Sequence, residues 1–192
     1  MQAAFQASRT ILRQAVSKMQ KLVAAIDELK RMPSLDLPSG IPPFDADNTT
    51  TFQAAVQWLK VDANNPAAAG STVQSALSLM NRNLNLNPPL RRGGPIKIDG
   101  VLRTDYHAYS TGAEAAGVMC GDVFFTADSA ECNRDVMTHE CFHMLGVHHG
   151  GAANDPVTHR ELIKTPAQAL DSADNLAQLV AQLATGKTDS CP

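Results

Sequence analysis

The sequence NRDVMTHECFHMLGVHHG, residues 133–150, carries four of the six histidines of the chain. Within it, His139 and His143 are four residues apart, and Glu140 directly follows the first of them. On an α-helix, positions four apart differ by only about 40° around the axis. Both imidazoles would therefore point to the same side of a helix and could share one tetrahedral ion.

The same stretch indicates where such a helix begins and ends. Asn133 could cap the helix, and Asp135 would lie in the first turn, where the helix dipole favours a carboxylate. Gly146 suits the end of the helix. Cys141 lies roughly 200° around the helix from either histidine, which predicts a core residue or a disulfide partner rather than a metal ligand.

The pattern His-Glu-x-x-His is typical of zinc hydrolases. Two histidines bind the metal, and the intervening carboxylate can take a proton from water as that water attacks a carbonyl carbon. The sequence therefore predicts one Zn²⁺ ion held by His139 and His143, with Glu140 as the general base.

Two residues are candidates for the third metal ligand. His149 completes an HExxHxxGxxH pattern through Gly146, as in the metzincins, but those enzymes also need a later methionine turn, and the last methionine here is Met144. Asp155 is the other candidate, because a carboxylate oxygen is a normal zinc ligand. His148 and His149 could instead be solvated loop residues.

The rest of the chain predicts helices around a small sheet. Apolar residues at three- and four-residue steps predict helices over about 3–31, from a cap at Asn48 or Thr49 to Leu59, around Val73–Leu84, and near 157–170 and 174–184. Short apolar runs predict a hairpin over 96–103 and strands at 117–119 and 123–125. Turn residues predict a loop over 85–95. This order predicts a single α+β domain over 1–192. Residues 1–90 would be mainly helical, and 95–192 would hold the sheet and the active-site helices.

Composition excludes several classes of protein. With 44% hydrophobic and 18% charged residues, the chain can build a core, and its net charge of −3 argues against a nucleic-acid partner bound through basic charge. No apolar run reaches the ~18 residues of a membrane span, and the first residues do not form a signal-peptide pattern. The four cysteines include no CxxC pair, which argues against a cysteine zinc knuckle.

Three segments resemble one enzyme family. The sequences GVMCGDVFFT (117–126), THECFHMLGVHHGGAAND (138–155) and ALDSADNLAQLVAQL (169–183) are similar to the deuterolysin-like, or aspzincin, zinc metalloendopeptidases. The resemblance covers about 117–184. It implies a zincin-like fold with N-terminal helices, a small mixed sheet, an active-site helix and further C-terminal helices.

Carried over by position, the resemblance implies a role for each matching residue. His139 and His143 would be zinc ligands, Glu140 the general base and Asp155 the aspartate ligand. Asp174 matches the aspartate of an Ala-Asp motif, which in lysine-specific members of the family helps to form an acidic S1′ pocket, although Asp174 could also simply cap the last helix.

Two positions depart from the family pattern. Thr158 stands where the family has a tyrosine that supports the transition state, so His159, Tyr106 or Tyr109 could supply the donor instead. These tyrosines could equally be packing residues. Ala177 stands where lysine-specific members have a second pocket acid, which weakens the case for a preference for lysine.

We therefore expect a zinc-dependent endopeptidase acting on a protein or peptide substrate that lies along an edge strand containing Val118 or Phe124. One alternative is a non-catalytic, zinc-stabilised binding domain. Another is a metallopeptidase toxin or effector domain of a larger delivery protein. A secreted or delivered location is expected.

Overall fold

The longest element of the structure is helix α1, Gln2–Arg31. The structure, a computed structural model, describes residues 1–31, 44–98, 100–110, 117–126, 129–150 and 162–188. α1 confirms the first predicted helix and buries one apolar stripe, while Lys30 and Arg31 suit the negative end of its dipole. The buried apolar residues of this stripe are Phe5, Ile11, Leu12, Ala15, Val16, Met19, Leu22 and Ile26.

Two further helices, α2 (Ala46–Leu59) and α3 (Gly70–Asn85), pack against α1. The predicted cap of α2 at Asn48 or Thr49 is wrong, because Asp45 caps the helix. The carboxylate of Asp45 accepts a hydrogen bond from the backbone N–H of Asn48 at 2.7 Å. Aspartate is among the best residues at this position because it satisfies an N–H that the helix leaves free.

The histidine-bearing helix, α5, spans Ala130–His143 and begins earlier than predicted. Ser129 is its N-cap and accepts a backbone N–H at 3.0 Å. Asn133 is therefore an interior helical residue rather than the cap, and Asp135 lies in the second turn rather than the first. Residues 139 and 143 are helical, as the spacing predicts.

Two helices follow the histidine-rich stretch in the described part of the chain: α6 (Pro166–Leu170) and α7 (Ala173–Thr185). Of the predicted helix near 157–170, residues 157–161 lie outside the described residues, and the described part is helical at Leu162 and at Pro166–Leu170. Ser172 caps α7, and its hydroxyl accepts the backbone N–H of Asn175 at 3.2 Å. The alternative in which Asp174 caps this helix is therefore wrong.

The described strands form a three-stranded sheet and a separate hairpin. Strand β5 (Val118–Cys120) is central, and it pairs in parallel with β1 (Leu90–Arg92) and antiparallel with β4 (Ala108–Ser110). The hairpin joins β2 (Ile96–Ile98) to β3 (Val101–Arg103), as predicted.

Several strand predictions need correction. Residues 90–92 were expected in a loop but form β1, and the expected strand at 123–125 lies within a short helix, α4 (Asp122–Thr126). Val118 belongs to the central strand and Phe124 to α4, so neither lies on an edge strand that could receive a substrate. The edges of the described sheet are β1 and β4.

One large core joins the early helices to the later ones. Apolar side chains from α1, α2 and α3 pack with Phe142 of α5 and with Leu176, Leu179 and Val180 of α7. A second cluster, which includes Val118, Met137 and Cys141, joins the sheet to α5. The architecture is thus a mixed α+β fold in which helices predominate. None of the described helices has the length and apolar character needed to cross a bilayer.

Candidate metal centre

Helix α5 presents the two histidines of the motif on the same side. The ring centroids of His139 and His143 are 4.5 Å apart. Cys141, between them in sequence, is fully buried in the second core cluster with a free thiol. It is therefore a core residue, as its position on the helix predicts.

A third histidine joins them from beyond the helix. The chain turns at Gly146, whose φ of +80° is a conformation that glycine adopts without strain. His149 then lies with its ring centroid 4.5 Å from that of His143 and 5.7 Å from that of His139. One potential ligand atom from each ring lies within 4.8 Å of the others, and this is the one such group found among the described residues.

Each of the three rings has its Nδ1 atom engaged. The Nδ1 of His143 lies 2.7 Å from the carbonyl oxygen of Val147, which can only accept, so this nitrogen donates. The Nδ1 atoms of His139 and His149 lie 3.0 and 3.4 Å from the two carboxylate oxygens of Asp174. In a neutral ring, a hydrogen on Nδ1 leaves Nε2 with the free lone pair, which is the form that binds a metal. The donor set therefore fits a metal ion.

The surroundings of the rings favour the neutral form of His143 and the ionised form of Asp174. Burial, reinforced by the positive charge on a protonated His139, lowers the pKa of His143 to about 4. Burial also acts to lower the pKa of His139, but the hydrogen bond to Asp174 and the negative charge of Glu140 outweigh it and raise this pKa. Burial opposes ionisation of Asp174, yet its hydrogen bonds with His139 and His149 hold its pKa far below the ordinary value.

Glu140 is buried beside these rings, with only 6% of its surface exposed. Burial raises its pKa, partly offset by the positive charge of His139 and by a hydrogen bond with the backbone of Ser110 in β4. Its Oε2 atom is buried and has no hydrogen-bond partner among the described residues. An unpartnered buried carboxylate oxygen is costly, which makes it a candidate for a bond to a water or a substrate.

The corner between α6 and α7, residues 171–173, forms hydrogen bonds with the segment that carries His149. The backbone N–H of Gly150 donates to the carbonyl of Asp171 at 2.7 Å, and that of Ala173 donates to the carbonyl of His148 at 2.9 Å. His149 forms a β-bridge with Ser172. Sequence reasoning missed this corner, because a contact between residues about 23 positions apart leaves no local periodic signal.

The two adjacent histidines have different surroundings. The side chain of His148 is 77% exposed and pairs with Asp171, whereas that of His149 is 35% exposed and faces the other two rings. The interpretation of both as solvated loop residues is therefore wrong for His149 and holds for His148.

The remaining site predictions have mixed outcomes. Asp155, Thr158 and His159 lie outside the described residues. Tyr106 is buried and its hydroxyl donates to the carbonyl of Gly94 at 3.0 Å, which is a packing role. Tyr109 lies in β4 with its ring edge-on to that of Tyr106, 5.5 Å between centroids, and its part in the site stays a prediction.

Comparison of the chain with protein-family models, with curated proteins and with solved structures finds no match. The interpretation of the site therefore rests on its own geometry and chemistry. This geometry and chemistry support a site that could hold one metal ion through three histidines.

Proposed function

We propose that this protein is a zinc-dependent endopeptidase. The observation that carries the proposal is the combination of three imidazoles, each with Nδ1 engaged, and the buried Glu140 beside His139 in α5, which has one carboxylate oxygen without a partner among the described residues. Three neutral imidazoles are typical ligands of catalytic zinc, since they leave a fourth position for water or substrate.

A bound zinc ion would make water more acidic and polarise the carbonyl group of the scissile peptide bond. Glu140 would accept a proton from the attacking water through Oε2 and pass it to the departing amine. Its raised pKa suits this task, because a carboxylate with a pKa nearer to neutrality both accepts and returns a proton readily. His139, His143 and His149 would hold the ion.

Strand β4 is the proposed platform for the substrate. It packs against α5, and the backbone of its last residue, Ser110, hydrogen-bonds to the catalytic carboxylate. β4 also lies at an edge of the described sheet, so an extended peptide could add to it as a further strand. We therefore propose β4 as the substrate strand, in place of the strands expected from Val118 or Phe124.

The proposed relationship to the aspzincin family rests on the motif segments and on the position of the histidine helix beside a small mixed sheet. The family's aspartate ligand corresponds to Asp155, whereas the described residues supply His149 as the third histidine. Asp174, proposed from the family as a pocket acid, has both carboxylate oxygens directed at metal-site histidines. That arrangement does not favour a free acidic pocket for a lysine side chain.

The proposal is tested with the purified chain, its metal content and an unfolded protein substrate. We expect one zinc ion per chain and cleavage that a chelator stops. Glu140→Gln should retain zinc while cleavage falls by about 10²- to 10⁴-fold, the usual contribution of a general base. Glu131→Gln, at an exposed position of the same helix, is the matched control and should cleave normally.

Two outcomes would contradict the proposal. Cleavage by Glu140→Gln at the wild-type rate would remove Glu140 as the base. Stoichiometric zinc without cleavage of any unfolded substrate would favour a non-catalytic domain that uses the metal for stability.

A further inference from the structure

One carboxylate touches two of the three metal-site histidines. Asp174 lies in the first turn of α7, and its Oδ1 lies 3.0 Å from Nδ1 of His139. Its Oδ2 lies 3.4 Å from Nδ1 of His149. The two histidines belong to different parts of the chain, one to α5 and the other to the segment after Gly146, and Asp174 links them directly.

We infer that Asp174 is a positioning residue of the metal centre, whose single carboxylate orients both His139 and His149 with Nε2 toward the ion. The inference rests on the metal site of the proposed function and not on the peptidase chemistry. It gives Asp174 a different task from the acidic substrate pocket that the family resemblance implies.

The local structure supports a fixed carboxylate at this position. Ser172 caps α7, so the backbone around residue 174 is set by the start of the helix. The positive end of the helix dipole stabilises an anion in the first turn. The bridge between His149 and Ser172 places the third histidine against the same corner. Asp174 is therefore held by its own helix while it holds two rings.

The third ring does not depend on this carboxylate. The Nδ1 of His143 donates to the backbone carbonyl of Val147, which no side-chain substitution at residue 174 removes. Loss of Asp174 should thus release two ligands and leave one oriented. Removal of a carboxylate that hydrogen-bonds to a metal-binding histidine typically weakens metal affinity by about 10- to 100-fold.

An asparagine at position 174 gives a sharper test than an alanine. Its amide oxygen can accept from one ring, but its NH₂ group can only donate to the other. A neutral ring that accepts through Nδ1 carries its hydrogen on Nε2, and in that form it cannot bind a metal through Nε2. Asp174→Asn is also nearly the same size and shape, so a purely structural role would leave it close to the wild type.

The experiment measures zinc affinity by chelator competition for the wild type, Asp174→Asn, Asp174→Ala and Asp171→Asn. Asp171 lies at the same corner and pairs with the exposed His148, so it is the matched control. We expect both Asp174 variants to bind zinc about 10- to 100-fold more weakly, and Asp171→Asn to stay within a few-fold of the wild type. The visible absorption of the cobalt-loaded protein should also change in the Asp174 variants, because the ligand geometry changes.

The outcomes separate this inference from the proposed function. Wild-type zinc affinity and an unchanged cobalt spectrum in Asp174→Asn would overturn the positioning role even if the protein is a peptidase. An equal loss in Asp171→Asn would also overturn it, since the effect would then belong to the corner as a whole. Weaker zinc binding in the Asp174 variants of a protein that cleaves nothing would support the inference and overturn the proposed activity. If Asp174→Ala fails to fold, thermal melting with chelator present will show it, and the isosteric Asp174→Asn decides.

Discussion

The Nδ1 atom of His143 lies 2.7 Å from the carbonyl oxygen of Val147, four residues later in the chain. This hydrogen bond forms because the chain reverses just after α5 ends, with Gly146 at a φ of +80°. The end of the helix therefore supplies the acceptor that fixes the orientation of one of its own ligands.

Replacing Gly146 with alanine should cost stability and weaken metal binding together. No atom lies within 4 Å of a Cβ added there, so the cost of about 1–2 kcal/mol comes from the positive φ alone. The strain should shift the carbonyl of Val147, and we expect zinc affinity to fall by several-fold. Denaturant unfolding and zinc competition measure the two effects.

Gly186→Ala is the matched control. Gly186 also has a positive φ, +74°, and open space for an added Cβ, but it follows the last residue of α7, at the end of the helix opposite to Asp174. It should lose similar stability without a change in zinc affinity. If both variants lost affinity equally, the link between Gly146 and the ligand would be disproved.

The two neighbouring histidines should differ sharply when each is replaced with alanine. His149→Ala removes one of three ligands and should weaken zinc binding by at least about 100-fold, whereas His148→Ala, at an exposed ring, should leave it unchanged. Isothermal titration of the metal-free protein measures both. Unchanged binding in His149→Ala would indicate that the third ligand comes from another residue, for which Asp155 is the candidate from the sequence.

Zinc should raise the melting temperature of the metal-free protein. A ligand at 100 times its Kd stabilises the folded state by about 2.7 kcal/mol, which corresponds to roughly 5–10 °C in a chain of this size. Magnesium should give no shift at the same concentration, because it prefers oxygen ligands. An equal shift with magnesium would point to a carboxylate site instead of the three histidines.

The free thiols of Cys120 and Cys141 should resist alkylation in the folded protein. Burial raises their pKa values to about 11 and about 12, so neither forms the reactive thiolate at pH 8.5. Since folding favours the protonated thiols, their contribution to stability should be lost as the pH rises from about 9 through these values. Mass spectrometry after iodoacetamide treatment, native and unfolded, identifies the modified residues.

Ser17→Cys is the reference for that experiment, because Ser17 lies on the exposed face of α1. Its thiol should react within the time in which Cys120 and Cys141 do not. Rapid alkylation of Cys141 in the native protein would show that α5 does not pack as described.

Local patterns predicted the elements whose stability is mostly local. The apolar stripe of α1 and the turn between β2 and β3 depend on residues near one another in sequence, and both predictions are confirmed. The facing pair His139 and His143 follows from helix geometry alone, and the structure places these rings together.

The errors share a different cause. Residues 123–125 are β-branched and aromatic, which favours a strand locally, but they form a short helix that buries Phe124. Residues 90–92 carry no alternating pattern and become a strand only because β5 pairs with them. The link from Asp174 to His139 likewise depends on two helices packing together, and no local pattern encodes it.

Helix α1 packs directly against α7, so the first and last described helices of the fold share one core. During synthesis, α2 and α3 can cover part of the apolar stripe of α1, whereas the part that faces α7 stays uncovered until residues 173–185 have left the ribosome. Contacts between such distant segments form slowly, because the entropy cost of closing a long loop comes before the contacts stabilise the fold. Part of this apolar surface would thus remain exposed until α7 has formed, and such transiently exposed surface is prone to aggregation.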